Sequence, residues 1–398
     1  MDSDSVDIRA NAIVQSVQGM ACPQERYAEL LPLRLRRQGN IVSLFTHDDI
    51  TKINRHPGVL GQGGAGGTLG AERPTIPNET DGAEHKMWRE LLNPMFTARR
   101  IQRFEPAIRQ LAGELIDSFV DEGEVELCQR FCTPLPAEIF VNMLGAPRAD
   151  LQFFIDFNEG IIRPAGNSLD EIMDNVRKIG AKMVEYVYDL MAERRKDTTP
   201  RDDLISELFA ARINGEPLSD LDLNTIIYQM LLAGLDTVGS TMTLVFAWLA
   251  RHPEERQHLV QNPALIPGAI EDITRVESPV PTVQRYATED IDLGGGEMIQ
   301  AGDQIQTMLA SGNLDPDSFP DPLRVDFGRN KRDHLVFASG THVCLGAALA
   351  RLELRTAVDE LHRRIPSYRV KPGDEILYNN ITIRRAYHLP LAFERAGG

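Results

Sequence analysis

The chain has 398 residues, 42% of them hydrophobic and 25% charged, with a net charge of −16 at neutral pH. This is an ordinary globular balance with room for a large core, and its negative charge argues against nucleic acid as a partner. The N-terminus carries Asp2, Asp4 and Asp7 without an apolar run, and no stretch approaches the apolar length that a bilayer demands. A cytoplasmic protein with no membrane partner is therefore expected. Four cysteines, Cys22, Cys128, Cys132 and Cys344, do not make a disulfide framework in a chain this long. Cys128 and Cys132 lie four apart, but no second Cys or His pair follows at zinc spacing, so they read as small buried residues.

In chain order, 41–45 reads as a short extended piece. Seven of the thirteen residues 58–70 are glycine, and Pro74 and Pro77 follow, which predicts a mobile loop. In the next segment His85 and Arg89 stand four apart on one helix face. Apolar residues then recur at helical spacing from 101 to about 195, as in Ile108, Leu111, Leu115 and Phe119, or Ile172, Val176, Ile179 and Met183. The stretch 163–167 interrupts two of these helices, and the polar run 193–203 reads as a surface connection.

Ser219 and Asp222 make a capping box for a helix over 221–252, which Pro253 stops. It is apolar nearly all round, as a buried helix is. Within it Ala233, Gly234, Leu235, Asp236 and Thr237 mark a small-residue kink with an acid beside an alcohol. The bland account is an ion-paired Asp236 and a Thr237 bonded back to the carbonyl of Ala233. Further on, a helix after Pro267 carries Asp272 and Arg275, and an extended piece over 278–283 leads to Gln284 and Arg285. Short alternating segments at 290–296, 299–307 and 381–391 suggest small sheets beside a helical body. The fold class is thus mainly α with small β-sheets (α+β).

The segment from Phe337 to Gly346 sets Cys344 between Gly340 and Gly346 and ahead of Ala347, Ala348 and Ala350. It reads as a tight loop feeding a helix, where unpaired N–H groups and the helix dipole lower a thiol's pKa. A lone cysteine in such a turn is by default a structural one. A thiolate-ligated haem makes the same demands.

The order Phe337, Gly340, His342, Cys344, Leu345, Gly346 resembles the haem loop of the cytochrome P450 family. The likeness extends from 41 to 391 through the Ala-Gly-x-Asp-Thr helix and the His85/Arg89 pair. It implies a single haem-thiolate monooxygenase domain over 1–398, with a long central helix over haem b. Cys344 is then the iron ligand. Phe337, Gly346 and Ala233 border the haem, while His85, Arg89, Arg285 and His342 meet its propionates. Asp236 and Thr237 are the catalytic pair that manages protons for O2. Asp272, Arg275 and Arg329 are a structural ion-pair group, and the glycine-rich loop is a gate over the substrate cavity. Gln229, Leu232, Ala233, Val280, Val283 and Ile383 are the candidate pocket walls.

Two positions depart from the family: Ala338 stands where Gly is usual, and Asp272 where Glu is usual. Arg73 and Thr75, ahead of Ile76 and Pro77, replace the tyrosine with which the similar camphor oxidisers bind a ketone. A small apolar substrate of terpenoid, steroid-like or aromatic type is therefore expected. No flavin or iron–sulfur motif is present, which implies a separate ferredoxin and its reductase. Arg99, Arg100, Arg103, Lys331, Arg332, Arg351 and Arg355 form a candidate docking patch. The alternatives are a peroxide-driven haem enzyme of the same fold, a haem-based sensor without turnover, and a cofactor-free helical binding protein.

Overall fold

The computed structural model describes residues 17, 19–61, 73–197, 199–329, 333–380 and 382–394. Most of the glycine-rich stretch, together with Lys331, Arg332 and Ile381, lies outside the described residues. The helices that position the site are α1 (His47–Asn54), α2 (Gly82–Leu92), α3 (Glu105–Asp117), α4 (Pro134–Leu144), α5 (Leu151–Ile162), α6 (Leu169–Lys196), α7 (Leu204–Ala210), α8 (Asp220–Gly234), α9 (Thr237–Arg251), α10 (Ile266–Glu277) and α11 (Ala347–Arg364).

Their starts follow the chain's own punctuation. The hydroxyls of Ser168 and Ser219 and the carboxylate of Asp203 accept N–H bonds at the N-termini of α6, α8 and α7. Gly145, at φ +87°, ends α4 in the left-handed region that glycine enters without strain. α6 runs to Lys196, so the polar run expected from 193 begins as the last helical turn rather than as a loop. Its Arg194, Arg195 and Lys196 suit the negative end of the dipole.

α8 and α9 together make the apolar central element, interrupted at Leu235 and Asp236. The span Asp220–Arg251 is long and apolar enough to cross a membrane, which corrects the expectation that no stretch is. Yet 72% of its apolar window is buried inside the fold, so it serves as a core helix. The main core draws on residues from Ile76 to Phe393 and so joins the helical body to the C-terminal strands.

Beside the helices stands a five-stranded sheet of β1 (Leu35–Gln38), β2 (Ile41–Leu44), β3 (Val59–Leu60), β4 (Val283–Ala287) and β5 (Gln304–Thr307), in the order β1-β2-β5-β4-β3. β5 pairs parallel to β2 and antiparallel to β4, with Ile305 opposite Arg285. This register fixes Arg285 beside the central strand β5. Of the range expected from 381 to 391, Arg385–His388 forms a strand, and a second strand, Pro390–Phe393, runs two residues past its end.

Candidate active site

The Cys344 loop is closed by the N–H of Cys344, which bonds the carbonyl of Phe337 at 2.9 Å. Gly340 holds φ +74° and packs so closely on α1 that an added Cβ would lie 1.9 Å from the carbonyl oxygen of Asn54. Asn54 also donates to the hydroxyl of Ser339 at 3.1 Å, pinning the loop to the end of α1. Ala338 sits at φ +58° and ψ −165°, a region that side chains rarely enter, so the methyl that replaces the usual glycine is accommodated at the cost of backbone strain. Arg351 stacks over the Phe337 ring at 4.3 Å.

Cys344 keeps accessible surface, yet burial is the largest influence on its thiol. The sulfur therefore faces a cleft rather than bulk water. Burial raises the thiol's pKa, and the pull of the Gly346 and Ala347 N–H groups, Arg89 and Arg351 does not overcome it. The lowered pKa read from the helix N-terminus is thus corrected, because enclosure outweighs the dipole here.

A basic cluster surrounds the loop. His85 and His342 stack with ring centroids 4.1 Å apart, and Arg89 donates to the carbonyl of Val343 at 2.7 Å. Arg285 is buried and bonds only the carbonyls of Gly61 and Gln284 among the described residues. Burial, against a weak opposing pull from Asp81, lowers its guanidinium to about 10. Burial and then the neighbouring His342 and Arg89 lower His85 to about 4. One carboxylate, Asp81, ties the cluster together. It accepts from Gly61 N–H at 2.6 Å and His342 Nε2 at 3.0 Å. Asp81 and Gly61 escaped the sequence reading; their signal was an Asp before Gly82 that does not cap α2.

These residues fit a haem. The sulfur faces a cleft, nothing lies within 4 Å of a Cβ added at Gly346, and the cations exceed the carboxylates near them, as two propionates would need.

At the central kink both parts of the bland account hold. Thr237 Oγ1 donates to the carbonyl of Ala233 at 2.8 Å, and Asp236 takes a bidentate contact from Arg163 at 3.1 and 3.0 Å. Ser240 also donates to Asp236, while Glu159 pairs with both Arg163 and Arg385. Sequence reading saw 163–167 only as a helix breaker; its Arg163 is the partner of the acid. Gly234 lets this helix approach α4, since a Cβ there would meet the Phe140 ring at 2.6 Å.

On the helix behind the loop, Asp272 reaches Arg275 at 2.7 Å and Arg329 at 2.9 Å, and it accepts the N–H of Asp326. The shorter acid suffices because Arg275 lies one turn away and is fully buried. Its neighbour Glu271 has a role of its own: it accepts from Arg351 at 2.6 Å and His334 at 2.8 Å. Burial would raise its carboxyl, but these two partners outweigh it and hold the pKa at about 2. α10 is thereby bonded to both sides of the Cys344 loop.

Of the expected walls, Gln229, Leu232 and Ala233 retain accessible surface on a helix whose residues 223–228, 230 and 231 are buried, Val280 and Val283 are half-buried, and Ile383 is buried. The N–H of Arg384 bonds the carbonyl of Pro279 at 2.7 Å, which brings the segments of Ile383 and Val280 together. Thr75 is buried, and Arg73 pairs with Asp222 and Glu84. The docking patch is mostly committed within the chain, with Arg100 on Glu207, Arg103 on Asp202, Arg351 on Glu271 and Arg355 on Gln102. Arg99 is exposed.

An enclosed cysteine at a helix N-terminus, a surrounding surplus of cations and an acid–alcohol kink define a haem-thiolate protein that handles oxygen. The family model for Cytochrome P450 matches residues 137–378. The chain is 32% identical to cytochrome P450 CYP107DY1 of Priestia megaterium, covering 80% of this chain and 77% of that one. It is 35% identical to the mycinamicin IV hydroxylase/epoxidase of Micromonospora griseorubida, covering 73% and 72%. The crystal structure of CYP109E1 from Bacillus megaterium in complex with testosterone superposes with a TM-score of 0.85 at 25% identity, covering 93% and 97%. The chain belongs to the cytochrome P450 family. It is a haem-dependent monooxygenase with the P450 fold.

Proposed function

We propose that the whole chain, 1–398, is one domain that oxidises a small, mainly apolar substrate in the cytoplasm, with electrons from a separate ferredoxin and its reductase. Cys344 would be the ligand of the haem iron, and the observation that carries this assignment is its cleft-facing sulfur at the N-terminus of α11. The other cysteines suit the task less well. Cys128 and Cys132 are buried in the core, Cys128 donates to the carbonyl of Ala386, and Cys22 sits against Arg251.

When bound, the haem supplies the oxidising power that puts one atom of O2 into substrate and the other into water. Phe337, Gly346 and Ala233 would border it. His85, Arg89, Arg285 and His342 take up the propionates, which relieves cations buried without enough counter-charge. Asp236 holds protons at its Oδ atoms and passes them inward when Arg163 lets go; the hydroxyl of Thr237 orients the last one. Asp272, Arg275 and Arg329 keep the loop's scaffold rigid.

The mycinamicin and testosterone relatives support a mainly apolar substrate, and the walls Leu232, Ala233, Val280, Val283 and Ile383 agree with it. The acid–alcohol kink favours O2 over peroxide as oxidant, since an enzyme fed peroxide has no need of it. The test is the optical spectrum of the reduced carbon-monoxide complex: wild type shows the thiolate band and Cys344→Ser loses it. A band that survives the substitution moves the ligand to another cysteine and overturns the assignment.

A further inference from the structure

The accessible residues of the central helix form a short stripe. Residues 223–228 are all buried, as are Met230, Leu231 and everything from Val238 to Ala250. Between these blocks Gln229, Leu232, Ala233, Gly234, Asp236 and Thr237 keep accessible surface, and Ala233 is the most exposed of them. Gln229, Ala233 and Thr237 are spaced four apart and so lie along one side, with Leu232 and Asp236 flanking it. The stripe begins at Gln229 and ends at Thr237, and the kink at Leu235 and Asp236 lies within it.

The polar groups at its C-terminal end are engaged: Asp236 with Arg163 and Ser240, and Thr237 with Ala233. Gln229 has no side-chain hydrogen-bond partner among the described residues. Its amide thus has two N–H donors and a carbonyl left for a further partner, beside the apolar Leu232 and Ala233 of the same stripe. An amide in such a wall is satisfied by water when no ligand is bound. A purely apolar ligand that displaces the water leaves it unpaired, and a ligand with a matching oxygen does not.

We infer that Gln229 is a specificity-determining residue that donates a hydrogen bond to a carbonyl or hydroxyl oxygen of the substrate. At 1.5 Å per residue, Ala233 and Thr237 lie about 6 and about 12 Å from Gln229 along the axis. The substrate is therefore a mainly apolar molecule that carries an oxygen about 6–12 Å from the carbon oxidised. This rests on the proposed use of Ala233 to Thr237 as the oxygen-handling end of the cavity.

The test uses the haem-loaded enzyme and matched probes that differ only in oxygen: 5α-dihydrotestosterone with 5α-androstane, and dodecanol with dodecane. Dissociation constants are read from the substrate-induced shift of the haem spectrum, which does not depend on turnover. The wild type binds the oxygenated member of at least one pair about tenfold more tightly. Gln229→Leu and Gln229→Met, each keeping the reduced carbon-monoxide band of the wild type, abolish that preference and bind the hydrocarbon at least as well. Equal binding of both members by the wild type, or a preference that survives both substitutions, overturns the inference and leaves the proposed function standing. Failure of every probe to bind overturns both.

Discussion

Ala338→Gly is expected to stabilise the protein, although it removes a methyl and adds flexibility. Ala338 holds φ +58° and ψ −165°, and a non-glycine residue in that region costs on the order of 1–3 kcal/mol. Glycine removes the strain and loses about 0.4–1 kcal/mol to the greater freedom of its unfolded chain. The net gain is on the order of 1 kcal/mol. For 398 residues the unfolding entropy is roughly 0.8 kcal/mol per kelvin, so the melting temperature rises by only about 1 °C. The denaturation midpoint in urea, followed by circular dichroism on the haem-free protein, is therefore the better assay. Gly340→Ala is the matched control. It occupies the same loop, also at positive φ, but its Cβ would lie 1.9 Å from the Asn54 carbonyl oxygen, so it destabilises by more than Ala338→Gly stabilises. An Ala338→Gly midpoint at or below that of wild type refutes the strain argument.

Thr237→Ala is expected to keep reductant and oxygen consumption near normal while diverting the electrons to hydrogen peroxide. Asp236→Asn, which removes the charge that Arg163 holds, slows oxygen consumption itself by on the order of a hundredfold. Measuring product, peroxide and reductant together separates the two, and a fully coupled Thr237→Ala returns the pair to a purely structural role. Glu271 titrates at about 2 in the fold against an ordinary 4.5, so its bonds to Arg351 and His334 stabilise fully above about pH 4.5 and are lost as pH falls toward 2. Urea midpoints from about pH 6 to about pH 3 should fall less steeply for Glu271→Gln than for wild type, by on the order of 2 kcal/mol over that window, and parallel curves would remove Glu271 from the acid sensitivity.

The local signals were legible in the sequence. Helix periodicity, the Ser219 cap, the kink at Gly234 and the loop around Cys344 each depend on residues a few positions apart, and short-range sterics and hydrogen bonding dictate them. The Asp272/Arg275 pair was readable for the same reason, being one turn apart.

What remained hidden were partners far along the chain. Asp81 meets His342 across 261 positions, Asp236 meets Arg163 across 73, and Glu271 meets Arg351 across 80. No periodicity links such residues; only the packing of α2, α5 and α11 against the core decides that they touch. The pKa of Cys344 was misread on this account, because the helix terminus is a local feature whereas enclosure is a property of the whole fold. The accessibility of Gln229 is of the same kind. A glutamine in an apolar helix reads alike whether it faces water, a partner or a cavity, and here the neighbouring elements bury the residues around it while leaving its own side open.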